Sequence, residues 1–243
     1  MNEEANKEFF DKQSAVFEEE KGMLFWSIPT EYYLFQKIFK VNLPRLSFLD
    51  IGCGNAKFFR DLLIRKYKKS FEYIGVDISP EMIKFAKKNV PSGKFHTVKN
   101  LNCVDIQKLP HNIICLFAVL QYLNFDEVKE LFNKISKDKK CKYILIRSAL
   151  WINRKVRSDY IYGYGYTHNY EKVKELWSDS FKIKSFKVYN TLPALLLAET
   201  GLFKGYYFYR IKMAIDEIIH TLLHRIYPKV FEARDYFIVL ERK

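Results

Sequence analysis

The stretch FLDIGCGNAKF, residues 48–58, decides how the rest of the chain is read. Its apolar run begins at Leu46 and stops at Gly52 and Gly54, as a buried strand does when it ends in a tight turn. Small residues at that turn, Gly52, Gly54 and Ala56, let backbone approach a ligand closely, and Asp50 sits on the strand just before them. Downstream, YIGVDIS at residues 73–79 is a second strand that ends on Asp77. A carboxylate at the carboxyl edge of a sheet is placed to accept hydrogen bonds from ribose hydroxyls. A glycine turn and an acid at this separation are together far more specific than either alone.

Working outward, strands and helices alternate. A helix is expected near Phe58 to Tyr67, a strand at Tyr73 to Asp77, a helix at Pro80 to Asn89 and a strand at Phe95 to Lys99. The run Ile113 to Leu120 reads as the fourth strand, Phe125 to Ser136 as its helix and Tyr143 to Ser148 as the fifth strand. Strands separated by helices imply parallel crossovers. Beyond Trp151 come a Tyr/Gly-rich loop, YIYGYGYTHNY, a helix from Tyr170 to Trp177, a strand around Phe181 to Tyr189, and a last strand in DYFIVLER. A long connection, Asn190 to Ala233, precedes that last strand and contains a helix from about Tyr207 to Ile226; long connections in α/β domains are usually functional or covering elements. Before the first strand, residues 3–20 and Thr30 to Phe39 read as helices joined by the aromatic segment GMLFWSIP.

Composition bounds the possibilities. The 243 residues, 49% hydrophobic and 17% aromatic, suffice for one large core, and no Gly/Ser-rich, Pro-rich or repeated segment suggests a tether. A single domain over residues 1–243 is expected, with 1–45 as a helical cover and 190–233 as a lid-like insertion. The formal charge of +13 attracts anions, whether nucleic acid, lipid headgroup or acidic metabolite, although many of the lysines fall on solvated helix faces. Cys53, Cys103, Cys115 and Cys141 form no CxxC pair, so neither a disulfide framework nor a metal site is indicated. The opening MNEEANKEFFDKQ lacks the apolar core of a signal peptide, and no segment is long and apolar enough to span a bilayer, so a cytoplasmic location is expected.

The turn is not GxGxxG, because Asn55 and Ala56 follow the second glycine; a sulfonium cofactor has no pyrophosphate to cradle at a helix N-terminus. LDIGCGNAKF followed by YIGVDISPEMIKFAKK resembles motif I and the next strand of class I S-adenosylmethionine-dependent methyltransferases. The resemblance is most specific over residues 47–90, weaker to about residue 150 and architectural beyond. The family's frequent third glycine is Ala56 here. The resemblance implies a doubly wound, Rossmann-like α/β fold, its mostly parallel seven-stranded sheet having an antiparallel last strand preceded by a helical insertion. S-adenosylmethionine is the implied cofactor. Asp50 and the backbone of Gly52, Cys53 and Gly54 would hold its methionine end, Asp77 its ribose, and Ile78 would flank the adenine. The adenine amino group falls to one of Asn100, Asn102 and Asp105: Asn100 follows the third strand most directly, while DIQKLP at Asp105 matches the family wording better. FAVLQYL, residues 117–123, resembles the segment lining the transfer region, which makes Gln121 and Tyr122 candidates.

Other residues could serve the acceptor. His168, in the loop after the fifth strand, is a candidate proton acceptor, and Asp159, Tyr164 and Tyr166 share its neighbourhood. Transfer from an activated sulfonium needs no base where alignment suffices. The segment YFYRIKMAIDEIIHTLLHRIY places Ile211, Ile215, Ile218, Leu222 and Ile226 on one helix face, as a packed cover or lid does; the tyrosines and cations before it leave peripheral membrane contact as a less favoured reading. The stretch RKVRSDYIYGYGYTH interleaves Arg154, Lys155 and Arg157 with tyrosines, as RNA binding would require. A small-molecule or lipid-linked acceptor is expected, with tRNA or other RNA, or a non-catalytic methyltransferase-like subunit, as alternatives.

Overall fold

The computed structural model describes residues 7–12, 45–56, 59, 71–151, 160–162, 165–189 and 233–243. The expected helices at 30–39 and 207–226, the aromatic segment 22–29, most of the helix after the first strand, Asp159, Tyr164 and the basic residues 154–157 lie outside them.

Nine strands form the sheet: β1 (Leu46–Ile51), β2 (Phe71–Asp77), β3 (Lys94–Thr97), β4 (Ile113–Phe117), β5 (Tyr143–Trp151), β6 (Tyr160–Tyr162), β7 (Gly165–Asn169), β8 (Phe181–Tyr189) and β9 (Ala233–Arg242). β1 lies between β2 and β4, with β3 outside β2 and β5 outside β4, all parallel. β9 pairs antiparallel with the whole of β5 and then with β8, so β8 runs parallel to β5. These seven strands make the mixed Rossmann-like sheet, six parallel and one, the last, antiparallel. The reversal of strand order about β1 and β4 opens a crevice at the carboxyl edge, where open α/β sheets bind ligands.

Among the described residues, three full helices join these strands: α1 (Pro80–Asn89), α2 (Phe125–Lys137) and α3 (Tyr170–Ser178). Each starts on a polar cap that accepts an otherwise orphaned backbone N–H. Ser79 caps α1 with Pro80 behind it, Asn124 and Glu127 form a reciprocal capping box on α2, and Asn169 caps α3. The apolar stripes then choose their faces. Ile83 and Ala86 of α1 join Phe48, Phe59 and Phe237 on one side of the sheet. Val128, Leu131, Phe132 and Ile135 of α2, with Val173 and Trp177 of α3, cover the other side. Trp177 and Phe132 meet at 5.4 Å, each of them a side chain worth about 2–3 kcal/mol of burial.

Two elements differ from expectation. The Tyr/Gly-rich segment is a hairpin, β6 against β7, and β7 also pairs with β5 in parallel at Leu150 and Trp151. Because β9 occupies the other edge of β5, β7 takes the edge that β4 vacates beyond Phe117. β4 itself is shorter than its apolar run, because Ala118 adopts φ +56° and turns the chain out of the sheet.

Candidate active site

Three chain segments converge on the crevice. The turn after β1 reverses through Gly52 at φ +72° and Gly54 at φ +53°, the left-handed region that an L side chain enters only at a cost. The N–H groups of Gly52 and Cys53 both donate to Val76 O, at 2.8 and 3.0 Å, which ties the turn to the end of β2. Asp77 lies there, buried, with Oδ2 accepting from Gly54 N at 2.8 Å and Oδ1 from Ser79 N at 3.0 Å. The third segment follows β4. A Cβ built on Gly52 would lie 2.5 Å from Val119 Cγ2, so the glycine is what allows the turn after β1 to abut the turn after β4.

Two acids, Asp50 and Asp77, are buried at the site. Asp50, 3% exposed, accepts a hydrogen bond at Oδ2 from the phenol of Tyr73, 2.8 Å away. Burial pushes that phenol well above its ordinary range, and the Asp50 carboxylate adds to the effect, so Tyr73 is a neutral donor. Burial also raises Asp77, opposed by the N–H groups of Ser79 and Gly54. The Cys53 thiol is raised well above its usual value by burial and then by Asp77 and Asp50, which keeps it protonated; its Sγ donates to Gly54 O at 3.5 Å.

A helical segment at residues 7–12 crosses the mouth. Ser79 Oγ donates to Asp11 Oδ1, and Phe10 packs edge-on against Tyr122 at 4.9 Å. Ser79 follows β2 and Tyr122 follows β4, so the segment passes over the turn of the intervening β1.

The structure thus brings together Asp50, Gly52, Cys53, Gly54, Asp77 and, through Val119, the 3₁₀ turn Leu120–Tyr122 with Gln121. Ile78 is half-buried against the core. The three adenine candidates separate. Val98 N donates to Asp77 O at 2.9 Å, which carries the chain alongside Asp77 toward Asn100, whose Oδ1 caps the next 3₁₀ turn through Cys103 N. Asn102 donates to Glu127 O of α2 at 3.3 Å. Asp105 is exposed and paired with Lys108 at 2.9 Å, and that lysine's hydrogen bond holds its carboxyl below the usual range. His168 is fully buried in β7, its Nε2 2.8 Å from Leu120 O and 2.9 Å from Leu123 O. Tyr166 is half-buried and stacks on it at 6.3 Å. Tyr73, Val119 and Ser79 escaped the sequence reading; the first shares a sheet face with Asp50 two positions before Gly75, a parity visible in the strand pattern.

Among the described residues, no cluster of His, Cys, Asp and Glu could hold a metal, and no helix is long and apolar enough to cross a membrane.

A parallel sheet reversing about β1 and β4, with a left-handed glycine turn answered by an acid at the end of the next strand, defines the class I methyltransferase fold and its nucleoside crevice. The profile of a methyltransferase domain family matches residues 43–192, and the chain belongs to that family of S-adenosylmethionine-dependent methyltransferases. No curated protein matches the chain in sequence. Solved structures resemble it in fold. A geranyl diphosphate C-methyltransferase from Streptomyces coelicolor, in complex with Mg2+, geranyl diphosphate and S-adenosyl-L-homocysteine, superposes with TM-score 0.61 at 12% identity, over 88% of this chain and 78% of its own. The O-methyltransferase of a polyketide synthase multienzyme from Brevibacillus brevis, in complex with S-adenosyl-L-homocysteine, gives 0.59 at 14% identity over 88% and 71%. A cyclopropane synthase from Mycobacterium tuberculosis gives 0.57 at 14% over 87% and 83%.

Proposed function

We propose that this protein transfers a methyl group from S-adenosylmethionine to a small-molecule or lipid-linked acceptor. One observation carries the reading: Gly54 N–H and Asp77 carboxylate, joined at 2.8 Å, meet at the strand-order reversal beside a second buried acid, Asp50. The residues present fit the cofactor. Buried carboxylates suit ribose hydroxyls and an ammonium group, and among the described residues no atom other than those of Gly54 and its chain neighbours lies within 4 Å of where a Cβ on Gly54 would stand. Asp77 would take the ribose, Asp50 and the backbone of Gly52 to Gly54 the methionine end, Ile78 and Asn100 the adenine side. When bound, the cofactor supplies an electrophilic methyl on a sulfonium. The work left to the chain is alignment and exclusion of water. Gln121 and Tyr122 would line the transfer region, and Phe10, seated on Tyr122, would close it.

The acceptor class is supported by the aromatic pair Phe10 and Tyr122 at the mouth and by the aromatic, apolar composition of the segments expected to flank the crevice. The proteins of similar fold that are a geranyl diphosphate C-methyltransferase and the O-methyltransferase of a polyketide synthase multienzyme accord with it. Calorimetric titration with S-adenosylmethionine and S-adenosylhomocysteine, with NADH and the Asp77→Ala variant as controls, tests the donor half. Saturable binding of the first two, weakened at least about tenfold by the loss of a charged hydrogen-bonding group, is expected. Binding of NADH alone, or of nothing by a folded protein, overturns the reading. A screen of isoprenoid, fatty acyl and phenolic acceptors by release of S-adenosylhomocysteine tests the other half, with RNA as the competing arm.

A further inference from the structure

His168 stands where a proton acceptor was expected, yet its contacts give it other work. Its Nε2 lies 2.8 Å from Leu120 O and 2.9 Å from Leu123 O. Both oxygens are carbonyls and can only accept, so Nε2 carries the hydrogen and shares it between them. That nitrogen therefore has no lone pair to offer a substrate. The ring is wholly enclosed, stacked by Tyr166 with the planes 19° apart and flanked by Phe125 at 6.2 Å.

The two carbonyls bracket the 3₁₀ turn Leu120–Tyr122, which forms the β4 wall of the crevice. Its internal bonds are few: Tyr122 N to Val119 O and Leu123 N to Leu120 O. It is entered through Ala118 in the left-handed region, a conformation that persists only where the surroundings enforce it. On one side Val119 abuts Gly52; on the other the histidine, delivered by the hairpin β6–β7, holds both ends of the turn.

We propose that His168 is a positioning residue of the cofactor site: its Nε2–H ties the carbonyls of Leu120 and Leu123 and so fixes Gln121 and Tyr122 at the crevice, without touching the reacting atoms. The proposal rests on the reading of this crevice as the cofactor site. The tie needs only Nε2–H, which both the neutral tautomer and the imidazolium carry, so a second proton on the ring does not break it.

Two substitutions separate the ring nitrogens. The amide nitrogen of glutamine reaches the place of Nε2, and that of asparagine the place of Nδ1. S-adenosylhomocysteine is titrated calorimetrically into the wild-type protein, His168→Gln and His168→Asn, with circular dichroism as the check on folding. Near wild-type affinity is expected for His168→Gln and a loss of about tenfold or more for His168→Asn, the scale on which small misplacements act. Equal affinity of both variants, whether both wild-type or both weakened, overturns the positioning role alone. Absence of binding by the wild-type protein overturns the cofactor reading beneath it. Should the variants not fold, nitrogen–proton spectra of histidine-labelled wild-type protein decide: a slowly exchanging Nε2–H that shifts when S-adenosylhomocysteine is added supports the tie, and a ring protonated only at Nδ1, or an Nε2–H indifferent to the ligand, overturns it.

Discussion

At Gly52 two demands meet in one position: φ of +72°, and a neighbour, Val119 Cγ2, 2.5 Å from where a Cβ would stand. A left-handed conformation costs an alanine about 1–2 kcal/mol, and relief of the contact requires Val119 to withdraw with the turn it leads. Gly52→Ala is therefore expected to lower stability by at least that amount in urea denaturation, and also to weaken S-adenosylhomocysteine binding. The double variant Gly52→Ala with Val119→Ala, which removes the contact and leaves the backbone strain, should recover affinity while remaining less stable than wild type. Recovery of neither would mean that the turns after β1 and β4 are not coupled through this pair. Ala56, where the family frequently has glycine, holds φ +52° while its methyl is buried in the apolar layer that includes Phe48 and Phe59, which is a physical reason for a side chain to persist there.

Elements marked by caps or by long apolar runs were legible in the sequence, whereas the contacts that distant partners bring to them were not. Ser79 with Pro80 and Asn124 with Glu127 mark the starts of α1 and α2 within a few residues of the apolar stripes they precede. The end of α2, expected at Ser136 and found at Lys137, is marked locally by Lys134 and Lys137, but the partner that holds it, Arg242, the last residue of β9, lies far along the chain. The guanidinium donates through Nη2 to Ile135 O at 3.1 Å and Asp138 O at 2.6 Å, through Nη1 to Ser136 O at 3.2 Å and through Nε to Cys141 O at 2.6 Å. It also lies over the Phe181 ring at 4.4 Å. One planar fork thus takes up Ser136 O, adds a second bond at Ile135 O, which Asp138 N already reaches, ties in two carbonyls just beyond the helix, and opposes the negative end of its dipole. Arg242→Lys keeps the charge and loses the fork, so a loss of about 2 kcal/mol is expected in denaturant unfolding; an unchanged midpoint would show that water serves those carbonyls as well. The hairpin β6–β7 escaped for a related reason. Its strands are three and five residues long, too short for alternation to stand out from a Tyr/Gly-rich loop, and β7 is held by β5 and by His168 under the turn after β4. The same blindness hid the work of His168, since a histidine in a sequence shows neither its burial nor the two carbonyls it faces.

At the scale of the molecule, the order of pairing carries a thermodynamic consequence. β9 comes from the end of the chain and sits between β5 and β8, while β1, β2 and β4, which carry the crevice, form the other half of the same sheet and share its two apolar layers. A ligand that binds only the folded crevice must then stabilise the C-terminal half as well, in one cooperative transition. With S-adenosylhomocysteine at about 100 times its Kd, the stabilisation is about 2.7 kcal/mol. For a domain of this size each kcal/mol raises Tm by about 2–4 °C, so a shift of about 5–11 °C is expected. Near-ultraviolet dichroism reports on Trp177 and the aromatic layers, and backbone dichroism on the sheet. Their melts should coincide and move together on addition of ligand, and the Asp77→Ala variant should melt as one unit with a smaller shift, about 3–6 °C if its affinity falls tenfold. A biphasic melt in which ligand moves only one phase would mean that the crevice and the β5–β9–β8 half unfold separately, with the chain between β4 and β5 joining two cooperative units.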